Sequence, residues 1–333
     1  MSLGPAVIDV AGLSLSDDER KRLRHPATGG LILFARNYRD PQQLRELVAE
    51  IRATRAELLL CVDHEGGRVQ RFRSGFTALP PMRRLGERWD RDPEGARQAA
   101  HAAGLVIATE LGAFGLDFSF APVLDLDYGT SSVIGDRAFH SDPRAVGELV
   151  AAFVRGLAAG GMAAVGKHFP GHGYVAADSH TDLPRDERKL EEILARDVAP
   201  YAPAIAAGLA AVMPAHVVYS AVDPQPAGYS SFWLKEVLRQ RLGFDGLIFS
   251  DDLSMAGALA AGSIAERARL ALAAGCDMVL LCNDPAGQAE LLDALDGAEV
   301  NMARATRMKA RPGETRLASA TYRNALETLG RLA

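Results

Sequence analysis

The sequence has little of what marks secreted, membrane or nucleic-acid-binding chains. Three cysteines occur in 333 residues. Cys61, Cys276 and Cys282 are odd in number, widely spaced and set in apolar runs. They read as buried reduced thiols rather than as a disulfide framework. A structural zinc site would need closer Cys/His pairs. No stretch approaches the apolar length that spans a bilayer. The opening MSLGPAVIDVAG has no basic or apolar region of signal-peptide length. A cytoplasmic protein with no membrane partner is therefore expected. The net charge is −5, so nucleic acid is not an expected partner; the scarcity of lysine beside arginine is a compositional bias. No G-x-G-x-x-G follows the first apolar run, which counts against a doubly wound dinucleotide-binding sheet. No linker or second domain is visible.

What the chain does have is 48% hydrophobic residues and a regular alternation. Eight short apolar runs recur: 5–10, 30–35, 58–63, 117–122, 163–169, 211–217, 246–251 and 278–283. They do not alternate polar with apolar, as expected of strands buried on both faces. Helical patterns lie between them. Ser16 with Glu19 reads as a capping box. Asp40-Pro41, Asp92-Pro93, Asp142-Pro143 and Asp284-Pro285 each place a capping aspartate before a proline at the first helical position. Eight strands alternating with about eight helices predict an α/β chain of the (β/α)8 TIM-barrel class. It is expected to form a single domain over 1–333, with a short polar tail and one helix from about 300.

In such a barrel the chemistry sits at the C-terminal ends of the strands. Here those ends carry Asp63; Asp125 and Asp127; Lys167 and His168; His216; Asp251 and Asp252; and Asn283. Charged groups ending apolar runs are costly unless they face a site or a partner, so a polar pocket is expected. The segment KHFPGHGYVAADSH, 167–180, adds three histidines. His168 and His172 have the spacing of a zinc helix, but Pro170, Gly171 and Gly173 break any helix and no glutamate stands between the histidines. A metal site built from His168, His216 and Asp251 stays open as an alternative, and would make the chain a metal-dependent hydrolase. Asp178 and His180 are two apart in a loop. In an extended segment they share a side, so the carboxylate can hold one imidazole nitrogen while the other moves a proton. Arg71 is suited to sugar hydroxyls or to pairing with Glu65, and Arg137 lies in a long loop after the fourth run.

The motifs VDHEGGRVQRF, APVLDLD, GDRAF, KHFPGHG with a following DSH, MPAHV and FSDDLSM occur in this order. Together the chain resembles the family 3 glycoside hydrolases, and within them the single-domain bacterial β-N-acetylglucosaminidases of cell-wall recycling. The resemblance implies a nucleophile at Asp251, an acid/base dyad of Asp178 and His180, and a sugar-binding set of Asp63, Arg71, Arg137, Lys167 and His168. It implies retaining removal of terminal β-linked GlcNAc from GlcNAc–1,6-anhydro-MurNAc, with or without a stem peptide. No metal or cofactor is implied, and a monomer acting on a small molecule is expected. Retaining glycosidases usually use two carboxyl groups about 5–5.5 Å apart; here a histidine stands in for the acid.

Spacing leaves Asp251 and Asp252 undecided, since neighbours at a strand end point to opposite faces. The family pattern favours Asp251 and leaves Asp252 to brace the turn before Ser254. A rival route would use the 2-acetamido group as nucleophile, assisted by the paired carboxylates. His172 is expected to brace its loop, His216 to be a hydrogen-bonded core residue, and His64 to point away from the pocket.

Overall fold

The computed structural model describes residues 3–177, 183–259, 262–311 and 317–332. Eight parallel strands close into a barrel in chain order. They are β1 (Ala6–Ile8), β2 (Thr28–Leu33), β3 (Leu59–Val62), β4 (Phe118–Ser119), β5 (Ala163–Phe169), β6 (Ala211–Pro214), β7 (Leu247–Asp252) and β8 (Met278–Leu280). Each overlaps one of the eight apolar runs. Closure is explicit, because Ala6 of β1 pairs with Thr28 of β2 on one side and Val279 of β8 on the other. An open sheet would leave two edges unpaired.

The helix starts follow from side-chain chemistry. Ser16 and Glu19 form the reciprocal capping box of helix Asp17–Arg24. Asp40, Asp92, Asp142 and Asp284 each accept a backbone N–H from the first turn of a helix that opens with proline. Each cap supplies roughly 1 kcal/mol by satisfying a donor the helix itself cannot.

Three features depart from the sequence reading. A helix at Arg83–Trp89 was not foreseen. The segment Phe232–Arg241 is a π-helix. Among the described residues after 300 there are two helices, Met302–Arg307 and Ala320–Gly330, where a short polar tail with one helix was expected. Ala305, Met308, Tyr322, Ala325 and Leu329 are buried. Lys309 Nζ and the Ala310 N–H both donate to Asp117, which opens β4 and also accepts from Arg52. Tyr322 donates to Glu110 at 2.6 Å. Lys309 and Ala310 thus tie the first of these segments to the N-terminal end of the barrel, and Tyr322 ties the second to helix Pro93–Gly112.

At the opposite end, Ile32, Phe120, Met213 and Leu280 line the floor of a cavity. They come from β2, the residue after β4, β6 and β8. This is one layer of four side chains from alternate strands, the packing rule of such barrels. Phe120 of this layer interlocks with Phe118 and Phe249, with ring centroids 5.2–5.4 Å apart. The floor is therefore packed, and polar groups are left to the rim.

Candidate active site

The cavity has a volume of about 580 Å³ and opens at the C-terminal ends of the strands. Its walls include Asp63, Glu65, Arg71, Arg137, Lys167, His168, His172, Asp251, Asp252 and Asn283. All five residues of the expected sugar-binding set, and the expected nucleophile, thus face one space. Asp178 and His180 lie outside the described residues.

Beyond β3 the chain makes a small hairpin, His64–Gly66 with Val69–Gln70. Gly66 and Gly67 form its turn at φ 111° and 55°, a region that side chains rarely adopt. A Cβ on Gly67 would also stand 2.9 Å from Pro81 Cα. The hairpin presents Asp63 and Glu65, two apart, to the same side. Lys167 Nζ reaches both, at 2.7 Å from Asp63 Oδ1 and 2.7 Å from Glu65 Oε1. Arg137 grips Glu65 with two parallel bonds of 2.9 and 2.8 Å. Arg71 pairs with the other oxygen of Asp63 at 3.5 Å. Burial works to raise the Asp63 and Glu65 carboxyls, but the neighbouring cations overcome it. Lys167 and Arg71 hold Asp63 below its usual range, and Arg137 and Lys167 hold Glu65 well below. Lys167 is raised despite burial by the same two carboxylates. The network is a preorganised set of acceptors and donors facing the cavity.

The alternative considered for Arg71, pairing with Glu65, is not what forms. Glu65 belongs to Arg137 and Lys167, and Arg71 to Asp63. Glu65 is the residue that sequence reasoning undervalued. Its position two residues after Asp63 was the available signal, since period two puts both on one face.

Asp125 is the second missed participant. It is buried under the cavity and lies 2.6 Å from His168 Nδ1. It also accepts the His168 and His172 N–H groups. Burial works to raise its carboxyl, and His168 and His172 bring it below its usual range. The imidazole of His168 is thereby oriented, and the His172 loop is braced at its backbone. Asp127 turns away into an ion pair with Arg83.

At the end of β7 both aspartates line the cavity, but they differ in role. Asp252 Oδ1 accepts the Ser254 and Cys282 N–H groups at 2.9 and 3.1 Å, and so braces the turn. Its own N–H donates to Asp251 Oδ1 at 2.8 Å. Burial pushes the Asp252 carboxyl up to about 6. His216 does not line the cavity; its Nε2 donates to the Asp252 carbonyl at 3.1 Å. His168, His216 and Asp251 are thus not gathered as a metal site. Among the described residues no group of three or more His, Cys, Asp or Glu is placed to hold a metal ion. His64 is buried away from the cavity against Phe72 and Phe76. Cys61, Cys276 and Cys282 are buried free thiols. Among the described residues no helix is long and apolar enough to cross a membrane.

A family profile described as the glycosyl hydrolase family 3 N terminal domain matches residues 6–311. The chain is 61% identical over 297 residues to a beta-hexosaminidase of Thiobacillus denitrificans, covering 89% of this chain and 83% of that one. It is 58% identical over 315 residues to a beta-hexosaminidase of Nitrosospira multiformis, covering 94% and 90%. Among solved structures it is similar to NagZ from Neisseria gonorrhoeae in complex with N-trifluoroacetyl-D-glucosamine. That likeness has a TM-score of 0.93 and 48% identity, over 100% of this chain and 99% of that one. A closed barrel, a buried charge network at its C-terminal mouth and these relatives agree: the chain belongs to glycosyl hydrolase family 3 and is a glycoside hydrolase of the beta-hexosaminidase type.

Proposed function

We propose that the enzyme is a retaining exo-β-N-acetylglucosaminidase. It removes terminal β-1,4-linked GlcNAc from GlcNAc–1,6-anhydro-MurNAc, with or without a stem peptide. It does so as a monomer in the cytoplasm, during recycling of the cell wall. The observation that carries the reading is the placement of Asp251. Its carboxylate ends β7 in the same cavity as the Asp63–Lys167–Glu65–Arg137 network. The network holds the sugar by its hydroxyls, with Arg71 and His168 completing the grip. Asp251 attacks the anomeric carbon, the bond to the leaving oxygen breaks, and a glycosyl-enzyme forms. His180, held by Asp178, gives its proton to the leaving oxygen. It then takes a proton from the water that releases GlcNAc with the β configuration.

A 5-fluoro glycosyl fluoride of the GlcNAc configuration tests the covalent step. A label on the Asp251 peptide is expected. Inhibition with no label would favour the acetamido group as nucleophile. Release of GlcNAc from GlcNAc–1,6-anhydro-MurNAc, with a kcat/KM well above that for chitobiose, tests the substrate; equal values would count against a dedicated cell-wall role.

A further inference from the structure

The end of β7 contains a second aspartate whose carboxylate accepts the backbone N–H groups of Ser254 and Cys282. We propose that Asp252 is a positioning residue for the Asp251 carboxylate and acts as a hydrogen-bond acceptor, not as a charge. The inference rests on the reading of Asp251 as the nucleophile.

Asp252 touches Asp251 through its peptide N–H, which donates to Asp251 Oδ1 at 2.8 Å. With one oxygen tied, the direction of the other is set by the rotamer this bond selects. Asp252 is itself held from three sides. Its carbonyl accepts from His216 Nε2, just beyond β6, and from the Met255 N–H at 3.1 Å. A carbonyl only accepts, so His216 carries its proton on Nε2. The Asp252 side chain reaches sideways to the Ser254 N–H in the turn and the Cys282 N–H beyond β8. The strand register is irregular between Phe249 and Asp252, and such irregularities re-aim side chains at the rim of barrels. β6, β8 and the following turn therefore converge on the residue whose N–H donates to Asp251.

Charge is not what these contacts require. Oδ1 accepts both backbone N–H groups whether or not Oδ2 carries a proton. Burial raises the carboxyl to about 6, so an appreciable fraction is protonated around that pH. An asparagine offers the same Oδ1 in the same place. A glutamate keeps the charge and displaces the acceptor by one methylene. An alanine removes it.

Steady-state kinetics on an aryl β-N-acetylglucosaminide tests this with Asp252→Asn, Asp252→Glu and Asp252→Ala. A misplaced reacting group costs on the order of a hundredfold. That loss is expected in kcat for Asp252→Ala and Asp252→Glu, with KM within about threefold because the sugar grip is untouched. Asp252→Asn should recover kcat to within about fivefold of the parent, on the ground that the acceptor geometry is retained. If Asp252→Ala does not fold, the contrast between Asn and Glu decides alone. An Asn variant as slow as the Glu variant overturns the acceptor role. A Glu variant slower by no more than its rise in KM overturns positioning. Fluoro-sugar labelling of the unaltered enzyme separates the two layers: no label at Asp251 removes the nucleophile reading itself, whatever the Asp252 series shows.

Discussion

His64 follows Asp63 in the hairpin beyond β3, and acid should loosen that hairpin through it. Its ring is 1% exposed, with centroids 6.0 Å from Phe72 and 5.7 Å from Phe76. Among the described residues neither ring nitrogen has a hydrogen-bond partner. Burial, with a smaller contribution from the Arg73 charge, pushes its pKa from 6.5 down to about 3. The folded state therefore requires the neutral ring. A histidine lowered in this way contributes stability that is present above pH 6.5 and is lost as pH falls toward 3. Between pH 8 and pH 5 the unfolded chain gains a proton at this site and the folded chain does not. At about 1.4 kcal/mol per unit over the 1.5 units below 6.5, the loss is about 2 kcal/mol. His64→Phe fills the aromatic cluster without a titrating group. Urea unfolding of parent and variant at pH 8 and pH 5 gives four stabilities. The parent should lose about 2 kcal/mol more than the variant between the two pH values. Differences in how well phenylalanine packs cancel in that double comparison. Equal losses would refute the account of a buried, unpaired neutral histidine.

Other consequences follow from the same contacts. Lys167→Met leaves Asp63 and Glu65 facing each other with one cation fewer, and breaking a buried pair costs roughly 3–5 kcal/mol; urea titration should show that loss together with near-abolished turnover, and a stable, active variant would contradict the network. Asp252→Asn should raise stability at pH 8 by about 3 kcal/mol, since a carboxyl shifted from 3.8 up to about 6 disfavours folding once ionised. That gain should fade as pH falls below 6 and vanish below about 4, and a constant gain would place its origin elsewhere. His180→Ala should slow a disaccharide far more than an aryl glycoside with an activated leaving group; equal loss on both would remove the acid role from His180.

The barrel was legible because strands buried on both faces leave unbroken apolar runs, and because Asp-Pro pairs announce helix starts whatever the tertiary context. The mouth was legible for a related reason: charges at the ends of such runs have few places to go except a shared polar site. Partner choice was not legible. Whether Arg71 or Arg137 takes Glu65 depends on where a loop some seventy residues further on returns, and no local pattern encodes that. The packing of the region after residue 300 was missed because its contacts, such as the Tyr322 hydrogen bond to Glu110 of the long helix Pro93–Gly112, lie far away in sequence. Asp251 and Asp252 were indistinguishable by spacing; the backbone N–H groups of Ser254 and Cys282 distinguish them.

The most direct test of the central claim is turnover of an aryl β-N-acetylglucosaminide by chelator-treated enzyme, run beside the matching aryl β-glucoside. The account predicts cleavage of the first at an undiminished rate and little of the second, as expected of a metal-free glycosidase that reads the acetamido group. Activity that disappears on chelation and returns with a divalent metal would contradict it.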